Sequence, residues 1–193
     1  MAVTLEEVNA KFERVATLAE LNKKSLDKMR EELLCRYENL DTAILGVKGE
    51  LKGISKSNEM ISEDYFYESL NESRAFAGIH FDDVQRNIKG KVKLKDGTTL
   101  VDEYDTVMYN DTAICIVEVK YRVRESDVEE IANRSATNFK KLFPYYANYK
   151  IYLAVGGLTV EKTAVESAKR HGIGVLRLRG DAVEAYDKNL KIY

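Results

Sequence analysis

The run Ala113-Ile114-Cys115-Ile116-Val117-Glu118-Val119-Lys120-Tyr121 constrains this chain more than any other stretch. Its first five residues are apolar at both phases of a strand's two-residue alternation. Both faces therefore need cover, as in the middle of a sheet with helices on either side. Yet a carboxylate and an ammonium, Glu118 and Lys120, stand near its end. Charges on a buried strand are costly without partners. Side-chain alternation puts these two on one face, with Val117, Val119 and Tyr121 on the other.

The preceding segment, Val101-Asp102-Glu103-Tyr104-Asp105-Thr106-Val107-Met108-Tyr109, reads as the neighbouring strand and carries a second acid, Asp105. The loop decides whether Asp105 joins Glu118. A loop of Asn110-Asp111-Thr112-Ala113 sets the two directly opposite, with β-carbons about 5 Å apart. A two-residue loop keeps them on one face diagonally, and a three-residue loop turns Asp105 away. Two carboxylates so close in a partly dry site repel, and a divalent cation relieves that repulsion. Mg²⁺, or Mn²⁺ in its place, suits one or two carboxylates plus waters. Lys120 is then placed to orient an attacking water or to neutralise developing charge. These are the parts of metal-assisted phosphodiester hydrolysis. The same three residues also describe an ion pair at strand ends.

Around this pair the element order is helix, a run of strands, helix, strand, helix, and closing strands. A helix is expected near 58–72. Strands follow over 77–88 and 89–100, the second holding an Asp96-Gly97 turn signal. After the two strands above come a helix over 125–143, a buried strand over 149–157, a helix over 159–171 stopped by Gly172, and strands over 173–180 and 182–187. Hairpin-connected strands followed by two helical crossovers imply an α/β fold: a mixed central sheet flanked by helices.

Ahead of it, residues 3 to about 45 contain no proline or glycine. Leu5, Val8, Phe12, Val15, Ala19, Leu26, Met29, Leu33 and Leu40 recur at alternating three and four spacing, a narrow heptad seam. Asn22 and Arg36 fall in the same register and interrupt it. The seam serves either homo-oligomer formation or an amphipathic arm that folds back. Residues 46–60, with Gly46, Gly49 and Gly53, mark a boundary. The expected division is 1–50, helical, and 51–193, the sheet domain.

Composition excludes several classes. No apolar run reaches the roughly 18 residues of a membrane span, and the charged start lacks a secretory apolar stretch. Two cysteines and two histidines, far apart, make neither a disulfide framework nor a zinc site. A cytoplasmic location is expected. The net charge of −2 is not that of a typical nucleic-acid binder, so contacts must come from local patches. Lys89, Lys91, Lys93 and Lys95 alternate along one strand, either following a phosphate backbone or keeping an edge strand soluble. Arg122 and Arg124 continue the alternation beyond Lys120 and are better placed to hold phosphates. The aromatic stretch 143–149 could stack bases, with packing around Pro144 as the alternative.

The segments EYDTVMY and ICIVEVKY, with the helix after them, resemble the PD-(D/E)XK nuclease superfamily, the restriction-endonuclease-like fold, over roughly residues 58–180. The resemblance implies a Mg²⁺-dependent nuclease acting on nucleic acid, DNA above all. It implies Asp105 and Glu118 as metal ligands and Lys120 as the catalytic lysine. A glutamate on the preceding helix often joins the ligands in that superfamily. Glu63 matches best and Glu68 next. Tyr104 stands where the name-giving proline would be. The subgroup most resembled pairs the fold with a helical or coiled-coil lead-in. The alternatives are a catalytically inactive module of this fold, binding nucleic acid or protein, and an enzyme acting on small phosphoesters.

Overall fold

A computed structural model describes residues 4–179 and 182–193 of the chain. By its internal contacts the chain divides into two compact units, Met1–Gly53 and Ile54–Tyr193. Helix α1 spans Leu5–Ser73. The glycine-bearing segment 46–60 is helical throughout, so the helix expected to begin near 58 is the last part of α1. A helical glycine costs only about 1 kcal/mol relative to alanine, and good helix formers such as Glu50, Leu51 and Lys52 flank these three. A β-carbon on Gly46, Gly49 or Gly53 would meet nothing within 4 Å. In the first unit every described residue is exposed.

The second unit begins with the C-terminal turns of α1. Then come β1 (Ala75–Phe76) and β2 (Ile79–His80), a small hairpin, and the strands β3 (Asp83–Lys93), β4 (Thr99–Tyr109) and β5 (Ala113–Val123). Helix α2 (Glu125–Leu142), a 3₁₀ turn (Pro144–Tyr146), β6 (Lys150–Val160), α3 (Lys162–His171), β7 (Gly174–Arg179) and β8 (Ala182–Tyr186) follow. One six-stranded sheet runs β3-β4-β5-β6-β7-β8. Pairing is antiparallel from β3 to β5, parallel through β5, β6 and β7, and antiparallel again at β8. The parallel pairs are the ones joined through α2 and α3, as crossover connections require. This is the mixed α/β sheet with flanking helices, preceded by a long helix, that the sequence implies.

Some boundaries differ. The division expected between residues 88 and 89 falls inside β3, because residues 75–80 turn back through Ala77 and Gly78, both at positive φ. Strand β6 continues to Val160, so α3 starts at Lys162 rather than Thr159. The strand expected over 173–180 is described as far as Arg179. Gly180 lies outside the described residues, as does Val3 at the helix start.

Two apolar layers sandwich the sheet. On one face Phe66 and Leu70 of α1 cluster with Met108, Cys115, Val117, Val119 and Ala154. On the other, Val128, Ile131 and Phe139 of α2 and Ala164 and Ala168 of α3 cluster with Val107, Ile114, Ile116, Leu153 and Val155. Burying each large apolar side chain contributes about 1.5–3 kcal/mol. Gly156 sets how closely α1 approaches: a β-carbon there would stand 3.3 Å from the Phe66 ring. At Gly157 a β-carbon would stand 2.6 Å from Val123 Cγ2, so bare backbone is needed beside the charged end of β5.

Candidate active site

The β4–β5 hairpin has the four-residue loop. Its register runs from Tyr109 opposite Ile114 to Thr106 opposite Val117. Asn110 holds the turn: its Oδ1 accepts from the Thr112 and Ala113 N–H groups, and its own N–H donates to the Ala113 carbonyl. In an antiparallel ladder every second pair exchanges backbone bonds. Counting from Asn110 and Ala113, the next such pair beyond Thr106–Val117 would be Tyr104 with Val119. Instead the Val119 N–H donates to Asp105 Oδ2 at 2.7 Å. The acid takes the bond that its own strand's backbone would have accepted, and the two strands part.

The neighbouring strand is irregular at the same level. Asn87, between the pairs Arg86–Thr106 and Ile88–Tyr104, has φ +54°. Tyr104 and Val107, three residues apart on β4, both belong to the α2-side core. An odd spacing with a shared face means that β4 exchanges faces between them. Tyr104 is thereby turned onto Phe139, with its hydroxyl donating to the Ser135 carbonyl at 3.4 Å.

A cleft of about 350 Å³ opens where the strands separate. Six carboxylates line it, Glu59 and Glu63 from α1, Asp102, Glu103 and Asp105 from β4, and Glu118 from β5, against two cations, Lys120 and Arg134. Asp105, Glu118, Lys120 and Glu63, four residues singled out in the sequence, thus share one cleft. Glu68 is not among its lining residues.

Negative charge in the cleft is under strain. Glu118 is only 5% exposed, and its Oε1 has no hydrogen-bond partner. Burial first, and Asp105 second, push its pKa up to about 8. Asp105 is also raised, by burial, against the Val119 N–H bond and Lys120, which favour its charged form. Protonated Glu118 can hydrogen-bond Asp105, so the two carboxyls act as a pair. Glu63 is raised by burial, then by Asp105 and Glu59. Burial pulls the Lys120 ammonium down, but a hydrogen bond to Glu59 and the charges of Asp105 and Glu118 outweigh it, leaving its pKa above the ordinary value.

Five residues of the cleft are not singled out by the sequence: Glu59, Asn87, Asp102, Glu103 and Arg134. Glu59 Oε1 pairs with Lys120 Nζ at 3.1 Å. Asp102, its side chain 9% exposed, pairs with Arg134 of α2 and accepts from Asn138 Nδ2 at 2.9 Å. The signals were present. Glu59, Glu63, Phe66 and Leu70 follow helical spacing on one side of α1, and Arg134 and Asn138 are four apart beside the apolar stripe of α2.

The donor set fits a small hard cation. Asp105 and Glu118 supply oxygens, one of them unspent, in a cleft with excess negative charge, and Mg²⁺ needs few protein ligands because it keeps its waters. Among the described residues, no three histidine, cysteine or acidic side chains gather closely enough to hold an ion by themselves. Asp105 and Glu118 are therefore the pair that would hold it, and Glu63 lines the same cleft.

Lys120 and Glu59 also line a second cleft, of about 310 Å³, together with Arg122 and Arg124. Arg122 pairs with Glu161 at 2.9 Å, and the Arg124 N–H donates to Asp127 at the start of α2. Lys91 and Lys93 lie elsewhere, exposed on the edge strand β3 opposite Val101 and Thr99. Lys89 is tied to Glu103 at 3.0 Å. In the aromatic stretch, Phe143, Tyr146 and Tyr149 pack on the core, leaving Tyr145 exposed. Among the described residues no helix is long and apolar enough to cross a membrane.

No protein-family model matches the chain, and no curated protein does. Among solved structures the chain is similar to the crystal structure of protein VC1899 from Vibrio cholerae, at 11% identity and a TM-score of 0.41. The match covers 62% of this chain and 29% of that one, too slight a likeness to carry an argument.

Proposed function

We propose that the protein is a metal-dependent nuclease that hydrolyses phosphodiester bonds, with DNA as its substrate and the cytoplasm as its setting. One observation carries this reading: Asp105 and Glu118 are brought together in a split between strands, with a buried Glu118 oxygen unspent and Lys120 in the same cleft. It agrees with the resemblance to the PD-(D/E)XK superfamily. When bound, Mg²⁺ or Mn²⁺ would neutralise charge on the phosphoryl group and make water a better nucleophile. Asp105 and Glu118 would hold the cation, with Asp105 fixed in place by the Val119 N–H. Lys120 carries a positive charge to orient water or to offset charge developing on the phosphate. Arg122 and Arg124 would hold the neighbouring phosphates, and Lys91 and Lys93 would add a weaker, sequence-independent attraction. A second copy of the chain is the partner of the helical unit.

The test is calorimetric titration of wild type and Glu118→Gln with Mg²⁺ and Mn²⁺, followed by cleavage of a panel of single-stranded, double-stranded and branched DNA. Binding and cleavage should both vanish in Glu118→Gln. A folded Asp105→Asn or Glu118→Gln protein that cuts as fast as wild type rejects the reading. One observation favours the non-catalytic alternative: Lys120 is already paired with Glu59. Absence of cleavage by a wild type that still binds DNA would select it.

A further inference from the structure

The first unit is a helix with no buried side (every described residue is exposed) although its sequence is strongly patterned. Protein helices owe most of their stability to packing of an apolar face, and a lone helix in water is marginal. Counting heptads from Leu5, the first core position holds Leu5, Phe12, Ala19, Leu26, Leu33, Leu40 and Val47 without exception. The six larger of these are 55–80% exposed. The second core position holds Val8, Val15, Asn22, Met29, Arg36, Ala43 and Glu50. Because Gly46 and Gly49 do not end the helix, Val47 extends the seam beyond the expected 3–45.

We infer that a second copy of this chain covers the seam, parallel and in register, over Leu5–Val47. The area suffices. Nine large or medium apolar side chains, burying about 60–120 Å² each, give roughly 540–1,080 Å² per copy, against the roughly 800 Å² per partner of a stable complex. The order of residues selects the orientation. Parallel pairing stacks each core position on itself: eleven layers are wholly apolar, and the polar residues are confined to three, where Asn22, Arg36 and Glu50 each meet their own counterpart in the other copy rather than an apolar side chain. Antiparallel pairing with full overlap would set Asn22 on Leu33, Arg36 on Ala19 and Glu50 on Leu5, leaving three polar groups against apolar ones. By chain connectivity, parallel pairing makes both copies of the second unit leave from the same end.

The inference does not depend on the catalytic reading and is tested apart from it. Sedimentation equilibrium of the full wild-type chain should give the mass of two copies. Leu33→Cys and, separately, Leu26→Cys should form disulfide-linked dimers on mild oxidation, because core positions of a parallel pair come within disulfide reach. Wild type should not link, since its exposed Cys35 lies on the outer side of the heptad and Cys115 is buried. A monomeric or three-copy mass overturns the inference. So does a dimer in which Leu33→Cys links only to Asn22→Cys, which is the antiparallel arrangement.

Discussion

The two halves of the β4–β5 pair share strands, helices and register, yet differ in almost everything else. In the inner half, Thr106–Met108 face Cys115–Val117 through a regular ladder and are buried. In the outer half, Asp105 diverts the Val119 N–H, the ladder stops, and charged groups line the opening. The inner half holds the sheet together, and the outer half uses that rigidity to keep two acids close that would otherwise move apart. A site of like charges needs a scaffold whose stability comes from elsewhere.

The contrast can be broken most forcefully on the outer side by activity. Asp105→Asn or Glu118→Gln should lower Mg²⁺-dependent cleavage of DNA by about a thousandfold, the equivalent of several kcal/mol of charge stabilisation, while circular dichroism stays that of wild type. On the inner side, Ile116→Ala should cost about 2–5 kcal/mol in urea unfolding, because it empties a fully buried position. Two residues on, Glu118→Gln should do the opposite and stabilise the metal-free protein by about 1–3 kcal/mol at pH 8. Equal signs at 116 and 118 would erase the distinction between the halves.

The pH dependence sharpens it. Glu118 has a raised pKa in the folded state, so over the window from about 4.5 to about 8 the native protein binds a proton that the unfolded chain does not. Stability of the metal-free protein from this group is full below that window and falls as pH rises through it, by at most about 1.4 kcal/mol per pH unit. Mg²⁺ affinity should move the other way, rising with pH as the proton leaves, and Glu118→Gln should abolish both trends. Arg134→Met should raise the pKa of Glu118 further and cost about 1–3 kcal/mol, since it leaves Asp102 unpaired. The smallest effect is expected at the sheet edge. Lys91→Ala and Lys93→Ala should each weaken binding to long DNA slightly and reduce the salt dependence by about one counterion.

The hairpin was legible because side-chain period and loop length together leave few registers. A nine-residue run with only two charges, next to a strand carrying Asp105, leaves the even loop lengths, of two or four residues, as the ones that join them. The split was not legible. Nothing in Tyr104-Asp105-Thr106 announces that Asp105 will capture a backbone N–H or that β4 will exchange faces, since both depend on Asn87 and α2 arriving from elsewhere. Glu59 was missed for a similar reason: among the acids of α1 its place is set by Phe66 seating on Gly156, a contact between distant segments. The glycines of α1 mark no boundary because the helix formers around them outweigh their low propensity.

The bond from Val119 to Asp105 has a use beyond architecture. An amide proton shared with a carboxylate senses that carboxylate's charge, so the Val119 N–H resonance is a built-in gauge of Asp105. It can be followed by NMR in the intact protein with no label at the site. Its shift on adding acid or Mg²⁺ would report directly on a group that enzyme assays see only through turnover.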